Sequence, residues 1–540
     1  MGNETKSLEQ VLWDSANVMR QTMGAADYMN YALGLIFYKH LSDKTLESAA
    51  KVLVDSGEVD TSAVGTESQR QEVYKRFYED KDFHEDLLDS MDMDYEIKPD
   101  FTFTALVDEI RDKKFQLEHL QQGFRDLEQS NSDLLGGLFA DVDLESTKLG
   151  STPQKKNDMI SEVMNALAPL NLDSHSVDIL GNAYEYLIAN FASDMGQKAG
   201  EFYTPQAVSR LLTHIVTLGK EAKKGFSAYD PAMGSGSLLL NVRQYIEDAD
   251  SINYFGQEIK TSTYNLARMN MIIHGISATN QHLRNADTLD KDWPADEITD
   301  FDAVMMNPPY SQKWSAEKGF LTDPRFSDYG VLAPKSKADY SFLLHGFYHL
   351  KSTGTMGIVL PHGVLFRGAA EGKIRQKLLE KGYIYAVIGL PAGIFYSTGI
   401  PTIIMVLKKD RPGRDVLFID GSKEFVKGKP QNFLDDKNID RLFQAYKDRK
   451  EVDKFAHVAT FDEIKKNEFN LNIPRYVDTF EPEPEIDLAE VNKAMAETNR
   501  EIAQNEGELL AMLQDLTTED EKKAKDLKEF LELLKGGVDG

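Results

Sequence analysis

The stretch AYDPAMGSGSLLLNV, residues 228–242, decides the fold. Its first apolar run ends at Asp230, Gly234 and Gly236 follow, and a second apolar run begins after Ser237. Glycine lets the backbone turn tightly and approach a ligand closely, and the helix expected from Ser237 offers free N–H groups to an anion. The stretch predicts a strand, a glycine-rich ligand loop and a helix, although taken alone it is also compatible with an ordinary strand-to-helix turn.

The chain downstream of Phe226 repeats this alternation of short apolar runs and helical segments. Such alternation predicts a doubly wound α/β domain with a parallel, Rossmann-like sheet. The run DVLFIDG (415–421) adds a further strand, which we expect at the sheet edge. The other runs that we interpret as strands are SAYDPA, NYFGQE, FDAVMMNPP, TMGIVLP, YAVIGLP and TIIMVLK.

The two ends of the chain differ from this central part. Apolar residues at helical spacing predict a helical domain over residues 1–165, followed by the α/β domain over 166–479. FEPEPEID (480–487) predicts a linker, and residues 480–540 form a helical tail with a heptad seam. This seam packs either on the chain's own domain or on a partner helix. It consists of Leu488, Val491, Met495, Thr498, Ile502, Asn505, Leu509, Met512 and Leu516.

Composition limits the class of protein. The 540 residues include no cysteine, which excludes disulfides and zinc–thiolate sites and fits a cytoplasmic protein. No apolar run reaches about 18 residues, so no membrane span is expected, and the N-terminus lacks the pattern of a secretory signal. The net charge of −27 opposes independent binding to nucleic-acid phosphates, so a chain that works on DNA needs a partner to hold it.

Two acidic residues follow later strands of the same sheet. Glu258 ends the run NYFGQE, and Asp287 follows a third strand in LRNADTL. Ligands of open α/β sheets bind outside the carboxyl ends of the strands, where a carboxylate accepts hydrogen bonds from ribose hydroxyls. The sequence has no Walker A motif, so a nucleoside triphosphate is not indicated. Together with the glycine loop, these residues predict a site for a ligand that carries a ribose.

The tetrapeptide Asn307-Pro308-Pro309-Tyr310 follows the apolar run FDAVMM. The prolines donate no backbone hydrogen bonds and Pro309 keeps Pro308 extended, so the segment presents acceptors only: the Asn307 side-chain oxygen and a nearby main-chain carbonyl. Two acceptors match the two protons of an exocyclic amino group, and Tyr310 offers a flat face for a base. The pattern predicts a pocket for an amino-bearing ring taken out of a duplex, with stabilisation of positive charge on its nitrogen.

These motifs resemble a known family. Asn-Pro-Pro-Tyr after a glycine-rich loop is a signature of S-adenosylmethionine-dependent amino-methyltransferases of DNA, and longer stretches are similar to the modification subunit of type I restriction–modification systems. The resemblance covers almost the whole chain. It departs from the family at Met233, where a small residue or cysteine is common, and at Ser237, where glycine is common, which we expect to tighten the loop without abolishing binding. The similar stretches are LWDSANVMRQTMGAADYMNYALGLIFYKHLSD, DILGNAYEYLIANFASDMGQKAGEFYTPQAVSRLL, DPAMGSGSLLL, ADYSFLLHGFYHL and GVLFRGAAEGKIRQKLLE.

The resemblance implies a fold, an activity and a set of site residues. The fold is an S-adenosylmethionine-dependent methyltransferase core, and the reaction is methyl transfer to N6 of adenine in duplex DNA, with no metal ion. The implied catalytic residues are Asn307, Pro308, Pro309 and Tyr310. The implied contacts to S-adenosylmethionine are Glu201, Phe202, Tyr203, Thr204, Pro205 and Gln206 at its methionine part, Asp230, Gly234, Ser235, Gly236 and Ser237 in the glycine loop, Glu258 at the ribose and Asp287 at the adenine.

Partners follow from the resemblance and from the length of the chain. Only about 70 residues separate Asp410 from the tail, too few for two target-recognition domains, so a separate specificity subunit is expected to read the DNA. The resemblance implies a second copy of the chain in the complex and a restriction subunit that can join it. A basic set after the tetrapeptide either touches phosphates near the flipped base or forms a solvated mixed-charge loop. It comprises Lys313, Lys318, Arg325, Lys335 and Lys337.

Three other functions stay open on the sequence. Asn-Pro-Pro-Tyr suits any planar amide or amine, so methylation of a glutamine amide in a protein and of cytosine N4 in DNA are both compatible with it. The third is a non-catalytic scaffold subunit, against which the intact tetrapeptide argues. His345 and His362 are expected to pack or to cap rather than to react.

Overall fold

The computed structural model describes residues 8–538 except 22, 171, 173–176, 196–202, 291–299, 396–398, 430 and 480–486. Within them the chain divides into two compact units, Met1–Asp478 and Thr479–Gly540. No helix of the described residues is long and apolar enough to cross a membrane. Glu201 and Phe202, predicted as cofactor contacts, lie outside the described residues.

The first part of the larger unit is helical, as predicted. The long helix α2 is buried along most of its length, in agreement with its apolar sequence. The boundary predicted at residue 165 lies inside α8, which ends at Leu167. The helices are α1 (Leu8–Ala16), α2 (Ala25–Asp55), α3 (Glu67–Glu79), α4 (His84–Met91), α5 (Phe103–Arg111), α6 (Leu117–Ser130), α7 (Ser132–Leu135) and α8 (Pro153–Leu167).

The rest of the larger unit is built on one nine-stranded sheet with helices around it. Its strands are β1 (Ser227–Asp230), β2 (Asn253–Glu258), β3 (Gln281–Asn285), β4 (Phe301–Met306), β5 (Leu350–Pro361), β6 (Ile384–Gly389), β7 (Thr402–Leu407), β8 (Val416–Asp420) and β9 (Ala456–Ala459). The helices are α9 (Val177–Met195), α10 (Gln206–Thr217), α11 (Ser237–Leu240), α12 (Thr261–Ile273), α13 (Asp339–Tyr348), α14 (Ala369–Glu380), α15 (Asp436–Asp448) and α16 (Phe461–Lys466).

The strand order β3-β2-β1-β4-β5-β7-β6-β8-β9 confirms the doubly wound α/β prediction and corrects two details. First, the sheet is mixed, because β7 runs antiparallel to β5 and β6, and β9 runs antiparallel to β8. Second, DVLFIDG is not the edge strand, because β9 covers β8. The winding reverses between β1 and β4, so Asp230 and Asn307 follow the two strands that flank the switch point, where ligands of open sheets bind.

The helical N-terminal part packs on the sheet domain through α12. Leu266, Met269 and Ile273 of α12 belong to the same buried cluster as the N-terminal helices and α9. The buried Arg268 guanidinium donates to the main-chain carbonyls of Leu134 at 2.7 Å and Gly136 at 2.9 Å. These bonds satisfy carbonyls at and just beyond the C-terminal end of α7, which have no partner within that helix.

The smaller unit contains two helices, α17 (Leu488–Gln514) and α18 (Glu521–Val538). The predicted seam lies along α17 and continues to Leu516. Its apolar members are exposed, including Leu488 at 71%, Met495 at 59% and Met512 at 69%. A helix with a continuous exposed apolar seam has the surface that a partner helix covers.

Candidate active site and cofactor pocket

The glycine loop joins β1 to α11 and adopts the backbone that its glycines permit. Gly234 has φ +55° and Gly236 has φ +78°, a left-handed conformation that other residues rarely adopt. The Met233 N–H donates to the Gln257 carbonyl at 3.0 Å, which fastens the loop to β2. The helix expected from Ser237 is a single α-helical turn that continues as a 3₁₀ turn, Asn241–Gln244.

Glu185 of α9 supports this loop from behind, a role that the sequence did not reveal. The Ser237 hydroxyl donates to Glu185 Oε1 at 2.8 Å, Asn270 Nδ2 also donates to Oε1, and Gln206 Nε2 donates to Oε2 at 2.8 Å. Asn270 Nδ2 further donates to the Ser235 carbonyl at 2.9 Å. The only signal for Glu185 in the sequence was its place in DILGNAYEYL, one of the stretches that carried the resemblance.

The two departures from the family fit their surroundings. The Met233 side chain is 4% exposed and lies over Gly256, where an added Cβ would come within 2.3 Å of Sδ. Gly256 therefore provides the space that the larger residue needs. Ser237 is 2% exposed, and its hydroxyl is 2.7 Å from that of Ser235 as well as bonded to Glu185. Its side chain thus holds the loop in shape.

A cavity of about 510 Å³ lies at the carboxyl ends of β1, β2 and β4. Glu258 and Asp287 line it, as does Asn307 at its far end. Its apolar lining includes Ile259, Leu289, Trp314 and Phe342. A smaller cavity of about 20 Å³ shares Ala232 and Asn307 with it and is lined by Tyr203, Thr204, Asp230, Met233, Gly234, Ser235, Ser237 and Leu238. The two cavities adjoin at Ala232 and Asn307 and together form a path that the acidic residues, the glycine loop and the tetrapeptide line.

The acidic residues along this path are shielded from water. Asp230 is 1% exposed, and its Oδ1 accepts the Ala232 N–H at 2.9 Å. Burial raises the pKa of Asp230 to about 8, and the nearby Glu258 carboxylate adds to the rise. Burial also raises the pKa of Glu258, although the N–H groups of Lys260, Gly234 and Ile259 oppose that rise. A buried carboxyl such as Asp230 suits a ligand that brings a positive charge, and a carboxylate such as Glu258 suits hydroxyl donors.

The Asn307 side chain is held in one orientation. Its Nδ2 donates to Thr204 Oγ1 at 3.1 Å, and its Oδ1 accepts the Tyr310 hydroxyl at 2.7 Å. An amide oxygen has two lone pairs, so Oδ1 keeps one for a further donor. The Pro308 carbonyl accepts no hydrogen bond from the described part of the chain. Two acceptors therefore remain: Asn307 Oδ1, in the cavity lining, and the carbonyl of the next residue.

The Tyr310 ring is half-buried and meets Phe395 edge-on, with ring centroids 6.2 Å apart and an interplanar angle of 77°. Burial raises the pKa of Tyr310, so its hydroxyl stays protonated and remains a donor to Asn307. The sequence predicted the flat face of Tyr310 but not the bond between its hydroxyl and Asn307. Tyr310 thus orients the amide as well as offering a ring.

A buried ion pair fixes the turn that follows the tetrapeptide. Ser311 has φ +53°, and its N–H donates to Asp339 Oδ1 at 2.8 Å. Asp339 is 1% exposed, and its Oδ2 accepts Arg367 Nη2 at 2.6 Å. Arg367 also lies 2.7 Å from Glu371 Oε2. Two stretches of the resemblance, ADYSFLLHGFYHL and GVLFRGAAEGKIRQKLLE, therefore meet directly behind Tyr310.

The residues of EFYTPQ that the structure describes line two cavities. Thr204 lines the smaller cavity of the path, Pro205 and Gln206 line a different cavity of about 920 Å³, and Tyr203 lines both. The Gln206 amide is bonded to Glu185 and, through Oε1, accepts Asn241 Nδ2 at 2.9 Å. Gln206 therefore supports the loop, while Tyr203 and Thr204 face the path.

The basic set after the tetrapeptide does not act as one group. Arg325 is 2% exposed, so neither alternative, contact with a phosphate or a solvated loop, holds for it. Lys313 is exposed and lines the cavity of about 510 Å³, and Lys318 and Lys335 are exposed. His345 is buried, as expected, and its Nε2 lies 2.7 Å from the Tyr229 hydroxyl.

Comparison with known proteins gives two matching family models. Residues 175–485 match the N-6 DNA methylase model, and residues 8–167 match the HsdM N-terminal domain model. The type I restriction enzyme MpnII methylase subunit of Mycoplasma pneumoniae is 35% identical over 92% of this chain and 93% of its own length. The type I restriction enzyme MjaVIII methylase subunit of Methanocaldococcus jannaschii is 33% identical over 69% of this chain and 66% of its own length.

Solved structures agree with these sequence matches. The crystal structure of a type I restriction-modification system methyltransferase subunit from Streptococcus thermophilus is 58% identical and has a TM-score of 0.84. The alignment covers 88% of this chain and 99% of that one. A chain from a study of complex assembly in a type I restriction-modification system shares the fold at 20% identity, with a TM-score of 0.56.

Proposed function

The chain belongs to the N-6 DNA methylase family, as a type I methylase subunit, and we propose that it transfers a methyl group from S-adenosylmethionine to N6 of adenine in duplex DNA. A separate specificity subunit reads the site. The observation that carries this proposal is the fixed Asn307 amide, which lines both cavities of the path and keeps one oxygen lone pair for a donor.

The path has the chemistry that S-adenosylmethionine requires. The apolar side chains of Ile259, Leu289, Trp314 and Phe342 suit the adenine, and the Glu258 carboxylate suits the ribose hydroxyls. Asp230 and the glycine loop suit the methionine part, where an ammonium group restores the charge of the buried carboxyl. When bound, this cofactor supplies a methyl group on a positively charged sulfur.

The tetrapeptide holds the target base. Asn307 Oδ1 and the Pro308 carbonyl accept the two amino protons, which directs the nitrogen lone pair toward the cofactor path. The same two oxygens stabilise the positive charge that develops on the nitrogen during transfer. The Tyr310 ring provides a stacking surface, and Phe395 closes one side of it. Holding both reactants in line supplies much of the rate enhancement.

Other acceptors are less well supported. Cytosine N4 also has an amino group with two protons, so the tetrapeptide alone does not exclude it. The match to the N-6 DNA methylase model favours adenine over cytosine, and it favours DNA over a protein glutamine. The Asn307 amide, which Thr204 and Tyr310 hold in one orientation, favours an enzyme over a scaffold subunit.

The need for a specificity subunit follows from charge and topology. The chain carries a net charge of −27, which opposes tight binding to DNA. Residues 416–466 add β8, α15, β9 and α16 to the main sheet and so do not form a separate recognition domain. We propose that the exposed seam of α17 binds the specificity subunit and that a second copy of the chain joins the same cytoplasmic complex. A restriction subunit can join them.

The decisive experiment identifies the methylated atom. Purified chain, a matching specificity subunit and tritiated S-adenosylmethionine are incubated with duplex DNA, which is then digested to nucleosides. We expect label in N6-methyl-2′-deoxyadenosine, and DNA binding by the chain alone should be weak and without sequence preference. Label in N4-methyl-2′-deoxycytidine or in protein, or tight site-specific binding by the chain alone, contradicts the proposal.

A tail deletion is the control for assembly. A chain without residues 486–540 should bind cofactor with unchanged affinity, because its path lies in the larger unit. It should lose most of the DNA binding and methylation that the specificity subunit confers. If the shortened chain assembles with the same affinity, the exposed seam of α17 is not the assembly surface.

We expect cofactor binding to strengthen from about pH 6 to about pH 7. Burial raises the pKa of Asp230 to about 8 in the free chain, so this carboxyl is mostly protonated in that window. The α-amino group of the ligand titrates only above about 7.7 and stays cationic there. Its charge lowers the pKa of Asp230 in the complex, so binding releases a proton, and affinity rises by up to about tenfold per pH unit.

Calorimetry with S-adenosylhomocysteine, in buffers of different ionisation enthalpy, measures both the affinity and the proton release. Asp230→Asn is the matched control, because it keeps an acceptor for the Ala232 N–H but does not titrate. Its affinity should be constant across the window. Equal affinity of the unmodified chain at both pH values would show that Asp230 does not meet the ligand's cation.

A further inference from the structure

Arg325 is a buried cation in the loop 311–338, between β4 and α13. Its side chain pairs with Asp323 in a two-pronged geometry, Nε to Oδ1 at 3.0 Å and Nη2 to Oδ2 at 2.7 Å. The guanidinium lies 5.0 Å from the centre of the Phe326 ring. Burying a guanidinium costs free energy unless its N–H groups are hydrogen-bonded. Nε and Nη2 donate to Asp323, so the partners of the third nitrogen, Nη1, indicate the role of the buried side chain.

That nitrogen, Nη1, reaches the wall of the cofactor cavity. It donates to the Thr288 carbonyl at 2.9 Å. Thr288 directly follows Asp287, lines the cavity, and donates its hydroxyl to the Pro231 carbonyl at 2.6 Å. Arg325 thus joins the loop after the tetrapeptide to the segment after β3, and through Thr288 to the glycine loop.

Nη1 is also the first donor in a chain of hydrogen bonds that ends at Gln257 in the cavity lining. It lies 3.1 Å from His345 Nδ1, which must be unprotonated because a guanidinium only donates. His345 Nε2–H therefore donates to the Tyr229 oxygen at 2.7 Å, and the Tyr229 hydroxyl donates to Gln257 Oε1 at 2.8 Å. Each donor finds an acceptor, and Gln257 lines the cavity.

We propose that Arg325 is a positioning residue for the adenosine half of the cofactor. It holds the Thr288 carbonyl, and with it the Asp287–Leu289 wall, against the loop that carries Trp314. This inference rests on the proposed function, because it assumes that the cavity of about 510 Å³ takes S-adenosylmethionine. If Arg325 only anchored the loop, its substitution would not weaken binding of the adenosine half of the ligand.

The test is binding of S-adenosylhomocysteine and of 5′-deoxy-5′-methylthioadenosine, which lacks the amino-acid part. Arg325→Lys keeps the charge near Asp323 but cannot serve both Thr288 and His345. It should lower the affinity for both ligands by the same factor, about tenfold, which is the effect of losing a charge-assisted hydrogen bond. At saturating cofactor, kcat of the assembled complex should change less than threefold.

Arg268→Lys is the matched control, since Arg268 is another buried guanidinium that donates to main-chain carbonyls. It should leave both affinities within twofold of the unmodified chain. Equal weakening by the two variants, or normal ligand binding by Arg325→Lys, overturns the inference. Failure of the unmodified chain to bind either ligand refutes the proposed cofactor instead.

A measurement on the unmodified chain covers the case in which Arg325→Lys does not fold. S-Adenosylhomocysteine should slow amide hydrogen exchange in residues 320–326, which lie outside the cavity lining but contain the Asp323–Arg325 anchor. Protection that stops at residues 312–315, which line the cavity, overturns the inference.

Discussion

Asn307→Ala should lower the rate of methyl transfer by about 10²–10³, the typical effect of removing one transition-state acceptor. The substitution removes Oδ1, which accepts from Tyr310 and keeps a lone pair for the target amino group. It leaves Glu258, Asp287 and the glycine loop in place, so cofactor affinity should change little. Single-turnover transfer of a tritiated methyl group by the assembled complex, with calorimetric titration of the cofactor, measures both quantities.

Thr204 offers a graded control for this prediction. Thr204→Val has the same shape but no hydroxyl, so Asn307 Nδ2 loses its partner while Oδ1 remains. We expect a loss of about tenfold, corresponding to one hydrogen bond, with recovery in Thr204→Ser. If Asn307→Ala retained near-normal transfer, the amino-group pocket assigned to the tetrapeptide would be wrong.

Two substitutions of Tyr310 separate the role of its ring from the role of its hydroxyl. Tyr310→Phe keeps the stacking face and loses only the bond to Asn307 Oδ1, so its effect on the transfer rate should be mild. Tyr310→Ala removes the stacking surface and the contact with Phe395, and its effect should be severe. Equal losses in the two variants would mean that Tyr310 acts through its hydroxyl alone.

The sequence predicted a ligand site at the carboxyl ends of the strands because its signals are local. Apolar runs marked the strands, and their carboxyl-terminal residues, Asp230, Glu258 and Asn307, lie at one edge of the sheet because the strands are parallel there. The orientation of β7 was not predictable in the same way. Its run TIIMVLK has the composition of any buried strand, and pairing direction depends on the chain path between strands.

The supporting polar residues were missed for a different reason. Glu185 lies 52 residues before Ser237 in sequence, and nothing in a helix of mixed composition shows which carboxylate is buried. Arg325 was grouped with a basic set at phosphates or in a solvated loop, because its charge is visible in the sequence whereas its burial is not. Sequence patterns thus identified the groups that face the ligand, but contacts distant in sequence decide which groups hold them.

Gly236→Asp should weaken cofactor binding, whereas Asn307→Ala should slow methyl transfer and leave cofactor affinity nearly unchanged. Gly236 has φ +78°, and a Cβ there would meet Met271 Cε at 3.4 Å and Ala267 Cβ at 3.5 Å, which are ordinary contacts. The folded chain can therefore accommodate a Cβ at this position, at the expense of backbone strain. A carboxylate would add negative charge to the glycine loop, where we expect it to oppose the carboxylate end of the ligand.

Gly236→Asn separates charge from strain, because asparagine has nearly the same shape as aspartate, carries no charge and tolerates a left-handed backbone. Two like charges about 4 Å apart repel by about 4 kcal/mol at an effective dielectric constant of about 20, roughly a thousandfold in affinity. We expect Gly236→Asp to bind S-adenosylhomocysteine about 10²–10³ times more weakly than Gly236→Asn in calorimetry, with similar melting temperatures. Equal affinities of the two variants would place the carboxylate end of the ligand away from Gly236, and the methionine part would then have to lie elsewhere on the path.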